Sequence, residues 1–243
     1  ERGDRAIPCE VAYPAGDGPF PTVVFGHGFV MSTGDYGAWI AGMVASGYVV
    51  IGVETETGLA PSHADFGLDL AYVADAASVE LVLPCALDDR VALGGHSMGG
   101  GAAWLAAATS EQADAVFGFA PAETDPSAIG AADGVFLPAL VFSGSSDGVT
   151  PPGQHHAPIY AATASECKAF ANLVEGGHCG FADAGSLCDL GEFLFSGMSR
   201  ERQQEVALER VVAWLDHWFR DGAWSAFEAP ADLQPRTIPR QNA

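Results

Sequence analysis

The sequence predicts an α/β fold: a mostly parallel, twisted sheet with helices on both faces and no large lid. Three observations carry this. Short apolar runs alternate with longer segments whose apolar residues recur at helical spacing, the pattern of strands joined by crossover helices. Gly95-His96-Ser97-Met98-Gly99 reads G-x-S-x-G and stands between an apolar run at 91–93 and an Ala-rich segment, so a strand, a sharp turn and a helix are expected there. Polar residues with chemical uses follow directly on other predicted strands, at the end where such sheets hold their ligands.

Taken in order, residues 7–14 read as an edge strand whose prolines, Pro8 and Pro14, mark its ends. Gly16-Asp17-Gly18-Pro19 is a turn. Residues 20–25 form a buried strand that runs into His27-Gly28-Phe29. Residues 36–46 read as a helix closed by Gly47, and 48–53 as another buried strand. Phe66, Leu70, Val73, Ala77 and Leu81 keep helical spacing over 63–82, with Asp65 near the start. Residues 85–90 link that helix to the strand before Ser97. Strands are expected at 115–120, 138–144 and, last, 169–174, with a short helix at 156–164. An amphipathic helix follows over 202–220, with Val206, Val211, Leu215, Trp218 and Phe219 on its buried face. The final twenty residues carry three prolines and read as irregular. No internal repeat or linker interrupts the chain, so one domain spanning 1–243 is expected.

The formal net charge of −21, with Lys168 the sole lysine, would repel nucleic acid and anionic membrane. No apolar run reaches the roughly 18 residues of a spanning helix, so membrane insertion is not expected. The opening Glu1-Arg2-Gly3-Asp4 looks like a mature or trimmed N-terminus. Cys9, Cys85, Cys167, Cys179 and Cys188 fit no zinc spacing. They read as one or two disulfides of an exported protein, Cys179 with Cys188 first because both lie in one loop region; five reduced, mostly buried thiols are the other reading. A secreted monomer without metal or cofactor is expected, and no D-x-D-x-D-G calcium loop appears.

A serine hydroxyl is a weak nucleophile at neutral pH. It needs a base, and the base needs a partner that fixes its tautomer. Of the histidines, His178 follows the last predicted strand in a Gly-flanked loop able to curl over Ser97. His63, His155 and His156 lie in polar stretches expected at the surface, and His217 sits on the C-terminal helix. The acid should fall between serine and histidine. Asp147 does so directly after a strand, while Asp125 and Asp133 lie in the loop before that strand. The backbone N–H groups of Phe29 and Met98 are the expected oxyanion donors.

These residues, with His96-Ser97-Met98-Gly99-Gly100-Gly101, Thr150-Pro151, Gly176-Gly177-His178 and Val212-Ala213-Trp214-Leu215, give the chain its resemblance. It resembles the α/β-hydrolase superfamily, and within it the bacterial cutinase and polyester-hydrolase family, the group that includes PET-degrading enzymes. The resemblance covers nearly the whole chain. It implies a Ser97–His178–Asp147 triad, oxyanion donors at Phe29 and Met98, and secretion. Phe29, His96, Met98 and Ala122 become the candidate substrate contacts. Ala122 stands where many polyester hydrolases carry tryptophan, which removes one wall of an aromatic clamp; Trp39 or Phe181 could substitute. The loop at 180–199 is also longer than usual for the family. The expected activity is hydrolysis of carboxylic esters, polyesters included. The alternatives are a small-molecule or dienelactone-hydrolase-like esterase and, in another class, a non-catalytic binding module on the same fold.

Overall fold

A computed structural model describes residues 2–185, 188, 189, 197–227 and 233–237. Its strands are β1 (Cys9–Ala12), β2 (Phe20–Gly26), β3 (Val49–Val53), β4 (Leu87–His96), β5 (Ala115–Phe119), β6 (Ala139–Gly144), β7 (Lys168–Leu173) and β8 (Leu233–Thr237). Its helices are α1 (Gly37–Ala45), α2 (His63–Glu80), α3 (Met98–Ala107), α4 (Ala128–Ala132), α5 (His156–Ala162) and α6 (Arg200–Phe219). The strands form one sheet in the order β1-β3-β2-β4-β5-β6-β7-β8. The neighbours from β3 to β7 pair in parallel, and β1 and β8 close the two edges antiparallel. This is the α/β-hydrolase architecture that the sequence led us to expect.

Alternation along each strand sends side chains to opposite faces. Val24 of β2 packs with Phe66 and Leu70 of α2 and Trp104 of α3, while Val23 and Phe25 pack with Trp39 of α1 and Trp214 of α6. Trp104 and Trp214 are completely buried, each anchoring one layer of helices. Caps place the two long helices: the Ser62 hydroxyl accepts from the Asp65 N–H at 3.1 Å, and that of Ser199 from the Arg202 N–H at 3.3 Å. Among the described residues no helix is long and apolar enough to cross a membrane.

Several expectations are corrected. The strand before Ser97 begins at Leu87, inside the stretch read as a link. After Leu87, the early residues of β4, Asp88, Asp89 and Arg90, are polar and at least partly exposed, so they carry no apolar signal. Helix α4 was not foreseen, because five residues are too few for a periodic pattern. On α6, Trp214 is fully buried, while Trp218 and Phe219 are only partly so. Strand β7 is not the last: β8 lies in the tail read as irregular, with Pro235 opposite Ala171. A proline is compatible with an edge strand, where its missing N–H can face away from the ladder. The rest of the tail from 228 on lies outside the described residues.

Register sets up the site. Gly26 of β2 lies beside Gly95 of β4, so the loop after β2 and the turn holding Ser97 emerge together. Gly144 of β6 lies beside Leu173 of β7, so the loops carrying Asp147 and His178 also emerge as neighbours.

Candidate active site

Ser97 joins β4 to α3 with φ +54° and ψ −118°, a strained conformation for a residue with a side chain. Its surroundings hold it there. The Ser97 N–H donates to Phe119 O at 2.9 Å, and Ser97 O accepts from the N–H groups of Gly101 at 3.0 Å and Ala122 at 2.8 Å. The flanking glycines are steric necessities. A Cβ on Gly95 would stand 2.4 Å from Gly99 O, and one on Gly99 would stand 2.2 Å from Gly26 O. Ser97 retains 9% exposure, enough to open onto a cavity.

His178 sits in the loop after β7, fastened from behind by buried Gln203 of α6. Gly177 N–H donates to Gln203 Oε1 at 2.9 Å, and Gln203 Nε2 donates to Gly177 O at 2.7 Å. His178 Nδ1 lies 2.8 Å from Asp147 Oδ2, with both side chains buried. Asp147 Oδ1 accepts from the N–H groups of Val149 at 2.9 Å and Thr150 at 2.7 Å. Burial alone would raise the Asp147 pKa. The His178 hydrogen bond and charge, with the Thr150 N–H, outweigh it and hold the carboxyl below the usual aspartate value.

Ser97 and His178 line one cavity of about 330 Å³, with His96 beside them. The rest of its wall is apolar: Phe29, Val30 and Met31 from the loop after β2, then Leu59, Val149 and Cys188. Phe29 (51% exposed), Leu59 (82%) and Val149 (42%) make an open apolar rim. Cys188 is disulfide-bonded to Cys179, the residue after His178, as expected for this pair; Cys9, Cys85 and Cys167 are free thiols.

The family model described as "PETase: PET hydrolase-like" matches residues 8–206. The chain belongs to the PET hydrolase-like family. That makes it a carboxylic ester hydrolase. No curated protein sequence matches it.

Within this PET hydrolase-like chain, the candidate residues separate clearly. Ser97, His178, Phe29 and His96 line the cavity, and Asp147 stands behind His178. Met98 is buried, and neither it nor Ala122 lines the cavity; the Ala122 N–H is spent on Ser97 O. Trp39 and Phe181 are corrected outright as a substitute aromatic surface. Both are core residues, Trp39 against Phe25 and Phe181 stacked on Phe119. Asp125 and Asp133 are exposed, and the carboxylate bonded to His178 is that of Asp147. His63 and His155 accept backbone N–H groups of Asp125 and Glu123 elsewhere.

His96 is held in one tautomer. Its Nε2 faces His178 O at 3.1 Å, and a carbonyl can only accept, so Nε2 carries the proton. Nδ1 then accepts from the Tyr36 hydroxyl at 2.9 Å, and that hydroxyl accepts the Gly28 N–H at 2.9 Å. One buried chain of bonds thus runs from the loop before Phe29 to the backbone of His178. Tyr36 was missed because its role needs a partner 60 positions away.

His156 was also misplaced. It is fully buried, not at the surface, and lies 3.6 Å from Asp147 Oδ2. Burial pushes the pKa of His96 well below the usual histidine value and that of His156 down to about 3. Unfolding releases both rings to an ordinary pKa of about 6.5, so below that pH the unfolded chain binds two protons the folded chain refuses. Stability is therefore expected to fall as pH drops below about 6.5, by about 2 kcal/mol from His156 at about pH 5, with His96 adding to the loss in the same direction. Urea unfolding at about pH 7 and pH 5 measures this; an unchanged midpoint would mean that both rings take up protons while folded.

Proposed function

We propose that this chain hydrolyses neutral carboxylic esters through an acyl-enzyme on Ser97. The observation that carries this is the buried His178–Asp147 pair beside a serine held at positive φ, with Ser97 and His178 on one apolar cavity. His178 Nε2 takes the Ser97 proton as Oγ attacks the acyl carbon. Asp147 keeps the other ring proton on Nδ1 and stabilises the imidazolium that forms. The N–H groups of Phe29 and Met98 receive the oxyanion; Met98 is the first residue of α3, where N–H groups lack partners within the helix. His178 then returns its proton to the departing alcohol, and water attacks the acyl-enzyme by the same steps to release the acid.

The apolar, uncharged rim supports an uncharged substrate with hydrophobic flanks, including a polyester chain lying across Phe29, Leu59 and Val149. The disulfide supports an oxidising, extracellular or periplasmic setting. A small-molecule esterase is the second reading, favoured by a cavity at the lower end of ligand-site volumes and by Ala122 in place of an aromatic wall. p-Nitrophenyl esters of rising acyl length, assayed beside a polyester film, separate the two. Release of soluble acid from the film supports the polymer reading. Short-chain activity with no film erosion assigns the enzyme to small esters.

A further inference from the structure

The carboxylate of Asp147 serves more than His178. The Thr150 hydroxyl lies 2.9 Å from Asp147 Oδ2, 2.9 Å from His178 Nδ1 and 3.0 Å from His156 Nε2. His156 Nδ1 lies 2.9 Å from Ser143 Oγ. His156, Ser143 and the side chain of Asp147 are inaccessible to solvent. The mechanism above uses neither His156, Ser143 nor the Thr150 hydroxyl.

Donor counting orders this cluster. Asp147 Oδ2 can only accept, and His178 supplies it with the Nδ1 proton. The single Thr150 hydroxyl proton has three acceptors in reach, Oδ2 at 2.9 Å, His156 Nε2 at 3.0 Å when that nitrogen is bare, and Ala120 O at 3.4 Å, and the short, charge-assisted contact to the carboxylate is the strongest. With its own proton on Oδ2, Thr150 can receive one from His156 Nε2. His156 Nδ1 is then bare and accepts from Ser143. The pushed-down pKa of His156 agrees with a neutral ring carrying one proton.

We infer that His156 is a second histidine of the site: a positioning residue that acts on Asp147 through Thr150, in the chain Ser143 Oγ–H to His156, His156 Nε2–H to Thr150, and Thr150 Oγ–H to the carboxylate. This rests on the reading of Ser97, His178 and Asp147 as the reacting group and its base and acid. The chain holds Asp147 Oδ2 toward His178 and fills its remaining lone pair. Without it, a buried carboxylate loses one donor and its fixed rotamer, and the His178 ring loses its alignment on Ser97.

The test is a double-substitution cycle on a soluble p-nitrophenyl ester. Thr150→Val, nearly the same shape without the hydroxyl, should lower kcat about tenfold to a hundredfold with KM within about twofold, the loss of one hydrogen bond to a charged group. His156→Phe should do the same alone and add less than about twofold to Thr150→Val, because both cut one chain. Thr150→Ser should recover most of the lost kcat. Multiplying effects, a change confined to KM, or a Thr150→Ser no better than Thr150→Val would overturn the relay. If His156→Phe does not fold, the Thr150 pair decides alone. Ser97→Ala, run alongside, tests the underlying reading: retained hydrolysis there removes the nucleophile and the relay with it. An inactive Ser97→Ala with multiplying effects removes the relay only.

Discussion

Ser97→Ala is expected to lower kcat by about 10⁵–10⁶-fold on a soluble ester, leaving the small rate that binding and oxyanion donors supply without a nucleophile. The change removes one oxygen and nothing that holds the turn. The bonds at Ser97 that tie it to Phe119, Gly101 and Ala122 are all backbone bonds and survive it. Melting temperature should therefore stay within a degree or two while activity disappears. Covalent labelling by a fluorophosphonate should disappear with it, since that reagent needs the same activated oxygen. Activity that survives in a folded variant would place the nucleophile elsewhere.

Gly99→Ala is expected to unfold or badly destabilise the protein, by about 3–5 kcal/mol. The added Cβ would sit 2.2 Å from Gly26 O and 2.5 Å from His27 O. Both are backbone atoms where β2 leaves the sheet, and no rotamer change relieves the clash. The start of α3 must back away from β2, which breaks the bond from Gly99 N–H to His27 O at 3.0 Å. For a chain of this size the melting point should drop by roughly 10 °C. Gly58→Ala is the control: nothing lies within 4 Å of its Cβ position, and its melting point should barely move. Equal behaviour of the two variants would mean that the crowding between β2 and α3 is not a constraint on folding.

How much of this was legible in the sequence depends on how local each constraint is. The Ser97 turn was readable because close approach of β2 and α3 demands glycine on both sides, and glycine is written in the chain. The meeting of Asp147 with His178 was readable because each lies in the loop after a strand, and the parallel order of β6 and β7 brings those strand ends together. Thr150 and His156 were not. Their meeting depends on how the loop after Asp147 folds back and on α5 burying its first residue, and a histidine beside another histidine in a polar stretch looks like surface. Trp39 and Phe181 failed as surface aromatics for a related reason: a ring's identity does not say which side of the sheet it faces. Strand β8 was hidden because proline marks the end of a central strand but is tolerated at an edge.

The sulfur link between Cys179 and Cys188 has a mechanical consequence. One of its ends adjoins His178 and the other is part of the cavity wall. If Ser97 is acylated as proposed, a bulky acyl group that pushes that wall outward would tug on the neighbour of the imidazole. On the proposed mechanism, breadth of substrate and alignment of the ring would be opposed demands on one short tether.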